Sequence, residues 1–176
     1  MSNIILLEHF TSQSNINLFK DREILKEALN ISNSIIKNFI KNHQVKKIFV
    51  IRNEKFKAGN SEKIKILYTN PKTKYIDILK KLKTCNKVLI IAPETKKLSI
   101  KLHSSIPKAF DVMSSKKTIL KTFASKTETI NILKQLNIPT VNFYKSKTQS
   151  KEEVIIKPNY GAGSDKIFIR KNNFLN

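Results

Sequence analysis

The first two thirds of the chain alternate short apolar runs with longer stretches of helical periodicity. Residues 4–7, 48–51 and 88–91 are continuous apolar runs, whereas residues 64–68 alternate apolar and polar positions. Continuous apolar runs of this length are typical of strands that are buried on both faces of a parallel sheet. A shorter apolar stretch over residues 110–113 predicts one more strand.

The stretches between these runs have the spacing of amphipathic helices. A long helix is predicted before the second strand, with an apolar stripe at spacings of three and four formed by Ile24, Ala28, Ile31, Ile35 and Phe39 and flanked by Leu25, Leu29, Ile36 and Ile40. A second helix follows the turn at Asn70-Pro71, with an inner face of Tyr75, Ile78, Leu79 and Leu82, and a short third helix covers residues 97–103. Strands that alternate with helices in this way predict an α/β, Rossmann-like domain with helices on both faces of a parallel sheet.

Two polar segments follow predicted strands. Glu8, His9 and Phe10 come after the first strand, and Pro93-Glu94-Thr95 comes after the fourth. Ligands of parallel α/β sheets bind beyond the carboxyl ends of the strands, so a substrate could lie at either segment. Glu94 is equally compatible with an exposed loop carboxylate.

Beyond Met113 the pattern changes to two short helices. Ser125, with Glu128 three residues later, has the spacing of a capping box for the second of these helices, which is predicted to end at Asn137. Its expected buried residues are Ile130, Ile132, Leu133 and Leu136. Lys126 then occupies the first helical position, where a cation opposes the helix dipole. This exception to a local rule is either a hint of function or a chance result of abundant lysine.

A β-hairpin with a glycine-bearing tip is predicted near the C-terminal end. Residues 154–157 have strand character, Gly161 and Gly163 lie in the tip, and residues 166–169 resume as a strand. Glycines can adopt positive φ and leave their N–H groups uncovered, as a loop that closes over phosphate oxygens requires. Lys157 would stand at the strand end as a point charge. For the two glycines alone, an ordinary hairpin turn explains the pattern as well.

The charge of the chain is strongly basic, at +21 with a pI near 10.1. The excess is almost entirely lysine, because arginine occurs only at Arg22, Arg52 and Arg170. Base and phosphate recognition favour the planar guanidinium group, and lysine rises here together with isoleucine and asparagine, as an AT-rich coding sequence would produce. A solvated basic surface is therefore favoured over specific nucleic-acid binding.

The remaining composition indicates a soluble, cytoplasmic protein with no membrane partner. Cys85 is the single cysteine, which excludes an internal disulfide and a CxxC motif. No apolar run approaches the length of a signal-peptide core or of a membrane span. His43 closes the long helix, where the helix dipole explains it better than catalysis does.

The order of motifs in the second part of the chain resembles the ATP-grasp superfamily of ATP-dependent ligases. The matching segments are Ser125-Lys126 at a helix start, residues 136–140 at its end, and Val154-Ile155-Ile156-Lys157-Pro158 followed by Gly161-Ala162-Gly163-Ser164. Within the superfamily, residues 4–8 and 90–95 look most like the tyramine–glutamate ligase group. The resemblance covers most of the chain.

This resemblance implies a domain division and a reaction. Residues 1–113 would form a pre-ATP-grasp domain, residues 114–138 a helical linker, and residues 139–176 the first part of an α+β ATP-grasp nucleotide-binding domain. Family members transfer the γ-phosphoryl group of ATP to a carboxylate, and an amine then attacks the acylphosphate to give an amide. Small-molecule carboxylate and amine substrates are thus the partners expected of a complete enzyme.

The resemblance also implies the binding residues. Lysines at the positions of Lys126 and Lys157 contact the nucleotide in the family, and a loop matching residues 161–164 folds over the β- and γ-phosphates. The implied ATP-binding residues are Lys126, Lys157, Gly161, Ala162, Gly163 and Ser164. Mg²⁺ is the implied metal, and its acidic and asparagine ligands in complete members lie further along than Asn176.

The chain departs from the family in two respects. The loop over residues 11–15 contains no glycine, although a glycine-rich loop commonly follows the first strand of the family. The second half of the ATP cleft is also not in this sequence, so the chain by itself is expected to be truncated, incomplete and inactive, and a complementing C-terminal chain is a possible partner. Two alternatives stay open: a non-catalytic basic module that binds nucleic acid or another polyanion, and a degenerate remnant.

Overall fold

The computed structural model describes residues 1–141, 153–161 and 167–170, apart from the side chain of Lys96. These residues fall into two compact units, one formed by Met1–Ala92 with Lys101–Ser115 and the other by Pro93–Ile100 with Lys116–Asn176. The strands of the first unit are β1 (Ser2–Glu8), β2 (Val45–Asn53), β3 (Ile64–Thr69), β4 (Lys87–Ile91) and β5 (Asp111–Val112). The helices before Ser115 are α1 (Arg22–Lys41), α2 (Tyr75–Lys81) and α3 (Leu98–Ser105), the last preceded by a 3₁₀ turn at Thr95–Lys97.

The five strands form one parallel sheet in the order β3-β2-β1-β4-β5. Leu6, in the central strand, lies opposite Val50 on one side and Leu89 on the other. This arrangement confirms the α/β fold with a parallel sheet that the alternating pattern predicts. The fifth strand is shorter than predicted, with two residues only.

Both faces of the sheet are covered. On one face, Ile5, Leu7 and Phe49 pack with helix residues that include Leu79 and Leu102. On the other face, the buried residues are Ile4, Leu6, Ile36, Val45, Ile48, Val50 and Ile66. Full burial of each such aliphatic side chain stabilises a fold by roughly 1.5–3 kcal/mol, so these continuous apolar runs dominate the stability of the sheet.

The buried stripe of α1 agrees with the predicted one only in part. Ile24 and Ile31 were expected to face the core, but each side chain is 40% exposed. The buried residues of this helix are Leu25, Ala28, Ser32 and Ile36. The stripe is rotated towards Leu25 and Ile36. It includes a polar residue, Ser32, which a pattern of apolar positions does not identify.

The second unit contains α4 (Lys117–Ala124), α5 (Lys126–Gln135) and a ribbon of β6 (Val154–Ile156) and β7 (Phe168–Arg170). Helix α5 ends as predicted: Asn137 has φ of 55°, its N–H donates to Lys134 O, and the N–H of Ile138 donates to Leu133 O. These two bonds form a Schellman motif, which satisfies the last carbonyl groups of the helix.

The expected burial of α5 is wrong. None of its residues is fully buried, and Leu136, just beyond its end, is 63% exposed. Ile130, Ile132 and Leu133 are half-buried. In the described part of this unit, α5 can pack only against a short helix and a two-stranded ribbon. These provide less apolar surface for its burial than the five-stranded sheet provides in the first unit.

The predicted hairpin is present as an antiparallel pair in which Ile155 lies opposite Ile169. Its tip residues Ala162, Gly163 and Ser164 lie outside the described residues. Among the described helices, none is long and apolar enough to cross a membrane.

Candidate phosphate-binding site

The carboxylate of Glu8, at the end of β1, is hydrogen-bonded to the backbone of the turn that follows. Its side chain is 3% exposed, and its two oxygens accept hydrogen bonds from the N–H groups of Phe10 (3.1 Å) and Thr11 (2.7 Å). The sequence placed Glu8 where a substrate could lie. The structure instead gives it the role of holding the turn that follows β1.

A buried arginine lies beyond the end of the second apolar run. Arg52 Nη2 donates to Ser32 Oγ (3.0 Å) and to Asn33 Oδ1 (2.5 Å) on α1. Burial lowers the pKa of the Arg52 guanidinium, and the Glu8 carboxylate opposes this effect. Sequence reasoning missed this residue, although a rare arginine directly after an apolar strand was the available signal.

The glycine-free loop after β1 is held by side chains from the end of β2 and from the turn that follows it. Asn53 Nδ2 donates to Gln13 O (2.8 Å) and Ser14 O (3.0 Å), and Lys55 Nζ donates to Ile16 O (2.7 Å). These backbone carbonyls therefore accept hydrogen bonds from within the protein. His9 belongs to the same region, where burial lowers the pKa of its imidazole while Glu8 raises it.

The first unit also has an open cleft of about 460 Å³ near the carboxyl ends of β2 and β3. It is lined by Glu54, Lys57, Ala58, Gly59 and Tyr68. The Tyr68 hydroxyl donates to Ala58 O (3.0 Å), which holds the loop against the strand. Among the described residues, Lys126, Lys157 and Gly161, which are predicted to bind ATP, do not line this cleft.

The second unit brings Lys126 to the hairpin. Lys126 Nζ donates to the carbonyl oxygen of Gly161 at 2.8 Å, and the Lys126 N–H donates to Asn159 O at 3.1 Å. These residues are 35 and 33 positions apart in the chain (161 − 126 and 159 − 126). The lysine that opposes the helix dipole thus directs its charge away from the helix and towards the glycine turn.

The N-terminus of α5 is capped from two directions. Ser125 Oγ accepts from the Glu128 N–H (3.2 Å), which is the predicted half of the capping box, whereas the Ser125 N–H donates to Thr122 O. Asn159 Oδ1 accepts from the Thr127 N–H (2.9 Å) and from the Ser125 hydroxyl (3.2 Å). The first N–H groups of the helix therefore have protein partners, and the charge available to an anion there is that of the Lys126 side chain.

The turn after β6 contains two more of the predicted residues, Lys157 and Gly161. Gly161 has φ of 142°, a conformation that favours glycine, and a Cβ there would lie 3.9 Å from Pro158 Cγ. Glycine is therefore required here by the positive φ and not by a lack of space for a side chain. Lys157 is exposed, and its ammonium group has no hydrogen-bond partner among the described residues. The structure thus places Lys126 and Gly161 in contact and leaves Lys157 on the surface of the same turn.

Asn159 is the residue of this site that sequence reasoning missed. Asparagine is a good helix-capping residue, but the helix that it caps begins more than thirty residues earlier, so local sequence gives no signal for this contact. Within the described ranges, no group of three or more His, Cys, Asp and Glu residues could hold a metal ion.

Comparisons with protein-family models, with curated proteins and with solved structures find no match to this chain.

Proposed function

We propose that the second unit is the phosphate-binding part of an ATP-grasp carboxylate–amine ligase. The observation that carries this proposal is the 2.8 Å hydrogen bond from Lys126 Nζ to Gly161 O. The bond joins the helix-start lysine and the glycine turn, the two motifs on which the resemblance to the superfamily depends.

The contact leaves Lys126 able to bind an anion. A lysine ammonium has three N–H donors, of which Gly161 O accepts one in the described structure, so two remain for phosphate oxygens. The exposed ammonium of Lys157 adds a second positive charge to the turn. Charge-assisted hydrogen bonds of this kind contribute about 1.5–3 kcal/mol each.

In the proposed reaction, a substrate carboxylate oxygen attacks the γ-phosphorus of ATP and ADP leaves. The amine then forms the amide bond at the acylphosphate carbon and displaces phosphate. Phosphoryl transfer depends mainly on positioning and on electrostatic stabilisation of the equatorial oxygens, which cations such as Lys126 and Lys157 supply. The described residues do not form a ligand set for Mg²⁺.

Isothermal titration with Mg-ATP tests the proposal. We expect weak binding by the wild-type chain and a further loss of affinity of about 10- to 150-fold in Lys126→Gln, the equivalent of one charge-assisted hydrogen bond. Lys157→Ala should also weaken binding. Lys134→Gln removes the same charge from an exposed position on α5 and should change affinity little.

Three results would contradict the proposal. The first is no binding by the wild-type chain. The second is micromolar affinity that survives Lys126→Gln and Lys157→Ala. The third is an equal loss in Lys134→Gln, because this would indicate that Mg-ATP responds to total charge, as a general polyanion-binding module would.

A further inference from the structure

The segment that follows β4 belongs to the second unit. The 3₁₀ turn at Thr95–Lys97 follows the end of β4, yet Pro93–Ile100 groups with the helices and ribbon of the second unit. The sequence predicted a possible substrate edge of the sheet at residues 93–95 and a short helix over residues 97–103. Its position brings a further lysine to the unit that holds Lys126 and Gly161.

The backbone of this segment is in an unusual conformation at Lys97. Lys97 has φ of 59°, and the only other non-glycine residue with positive φ in the described ranges is Asn137, which ends α5. Asparagine tolerates this conformation well, whereas lysine has no such local compensation. The turn is held by hydrogen bonds from the Lys97 N–H to Glu94 O (3.0 Å) and from the Ser99 N–H to Pro93 O (3.1 Å).

The ammonium group of Lys97 lies over an aromatic ring. Its Nζ is 4.5 Å from the centroid of the Tyr160 ring. Tyr160 stands between Asn159 and Gly161, the two residues that Lys126 contacts through its N–H and its ammonium group. Lys97 and Lys126 thus meet the same short turn from separate parts of the chain. An aromatic face attracts a cation without neutralising its charge, so the ammonium group keeps its attraction for an anion.

We propose that Lys97 is an additional phosphate-binding residue of this site and that Tyr160 is its positioning residue. The ligand class is a polyphosphate, either the triphosphate of a nucleotide or a free inorganic chain. This inference rests on the proposed function for the location of the site, and it adds a cation that the sequence motifs do not include. The strained backbone of Lys97 and the ring of Tyr160 together hold the charge beside the turn.

Titration of the full chain with Mg-ATP, inorganic tripolyphosphate and AMP tests this role. Lys97→Gln should weaken tripolyphosphate binding about five- to tenfold and AMP binding less, because the loss of one cation matters more for a more highly charged ligand. Lys97→Arg should retain affinity, since a guanidinium group also stacks on aromatic rings. Lys101→Gln, at an exposed position of α3, is the charge-matched control and should resemble the wild type.

Variants of Tyr160 distinguish a role of its ring in positioning Lys97 from a general effect on the stability of the protein. Tyr160→Phe keeps the ring face and should bind as the wild type does, whereas Tyr160→Leu should lose as much affinity for tripolyphosphate as Lys97→Gln. Equal weakening of tripolyphosphate and AMP by Lys97→Gln would indicate a structural role only and would overturn the inference. The same conclusion would follow if Tyr160→Leu left binding unchanged.

The outcomes distinguish this inference from the proposed function. If Lys126→Gln weakens Mg-ATP binding but Lys97→Gln does not, the inference is wrong and the proposed function stands. If the wild-type chain binds tripolyphosphate through Lys97 but does not bind Mg-ATP, the anion site is supported and the proposed function is wrong. Absence of binding to both ligands would overturn the two together.

Discussion

Asn159 and Ser125 together cap the N-terminus of α5. The Asn159 Oδ1 atom accepts from the Ser125 hydroxyl at 3.2 Å and from the Thr127 N–H at 2.9 Å. The contact fastens the turn after β6 to the start of α5, and it therefore also fixes Gly161 beside the Lys126 ammonium group. The geometry of the candidate phosphate site depends on this cap.

Replacement of Asn159 should loosen the N-terminus of α5. Asn159→Ala removes the acceptor for the Thr127 N–H, and loss of a helix cap costs about 0.5–2 kcal/mol. Hydrogen–deuterium exchange should show faster exchange in the first turn of α5. Asn159→Asp keeps an acceptor oxygen and places a negative charge at the helix N-terminus, so it should preserve protection. Asn38→Ala, at an exposed position on α1, is the matched control, and equal protection of α5 in Asn159→Ala and this control would contradict the capping role.

Ser32 should matter for stability despite its small size. Its hydroxyl accepts a hydrogen bond from the buried Arg52 guanidinium, and Ser32→Ala would leave Asn33 as the remaining acceptor for Arg52 Nη2. We expect a loss of about 1–3 kcal/mol in the free energy of unfolding of the first unit. Ser34→Ala, on the exposed side of the same helix, should be neutral or slightly stabilising because alanine favours helix. Urea denaturation compares the two variants, and similar midpoints would show that the buried bond contributes little.

His9 should make the first unit less stable at acidic pH. Burial lowers its pKa in the folded state below the usual 6.5, so the unfolded chain binds more protons between these two values. The stability associated with neutral His9 is fully present above pH 6.5 and is lost as the pH falls through the folded pKa. His9→Gln should remove this dependence, which appears as the difference between the unfolding free energies of the variant and the wild type across pH. A difference that stays constant through this window would refute the assignment.

Cys85 should be chemically inert in the folded protein. It is buried, its Sγ–H donates to Asn3 O at 3.0 Å, and burial raises the pKa of its thiol. A thiol reagent at mildly alkaline pH should therefore react slowly with the native chain and quickly in urea, because the thiolate is the reactive species. Rapid labelling of the native chain would indicate that this region opens easily.

Much of the first unit was predictable from local sequence. The runs at residues 4–7, 48–51 and 88–91 are apolar throughout, which indicates buried strands, and the helical stretches between them favour a parallel arrangement. The end of α5 at Asn137 was predictable for a similar reason, since the Schellman motif depends on a few consecutive residues. The buried face of α1 was predictable only in part, because Ser32 is buried through its hydrogen bond to Arg52 on another element.

The sequence by itself determined the parallel sheet, the glycine turn and the presence of Lys126 at a helix start, because each follows from periodicity or backbone preference within a short segment. Only the tertiary structure decided that Glu8 holds a turn, that Asn159 caps α5, and that Lys126 and Lys97 both reach the residues around Tyr160. The physical reason is that each of these contacts, except that of Glu8, joins residues far apart in the chain. Glu8 itself could have faced a ligand or its own backbone, and only its burial in the fold selected the second.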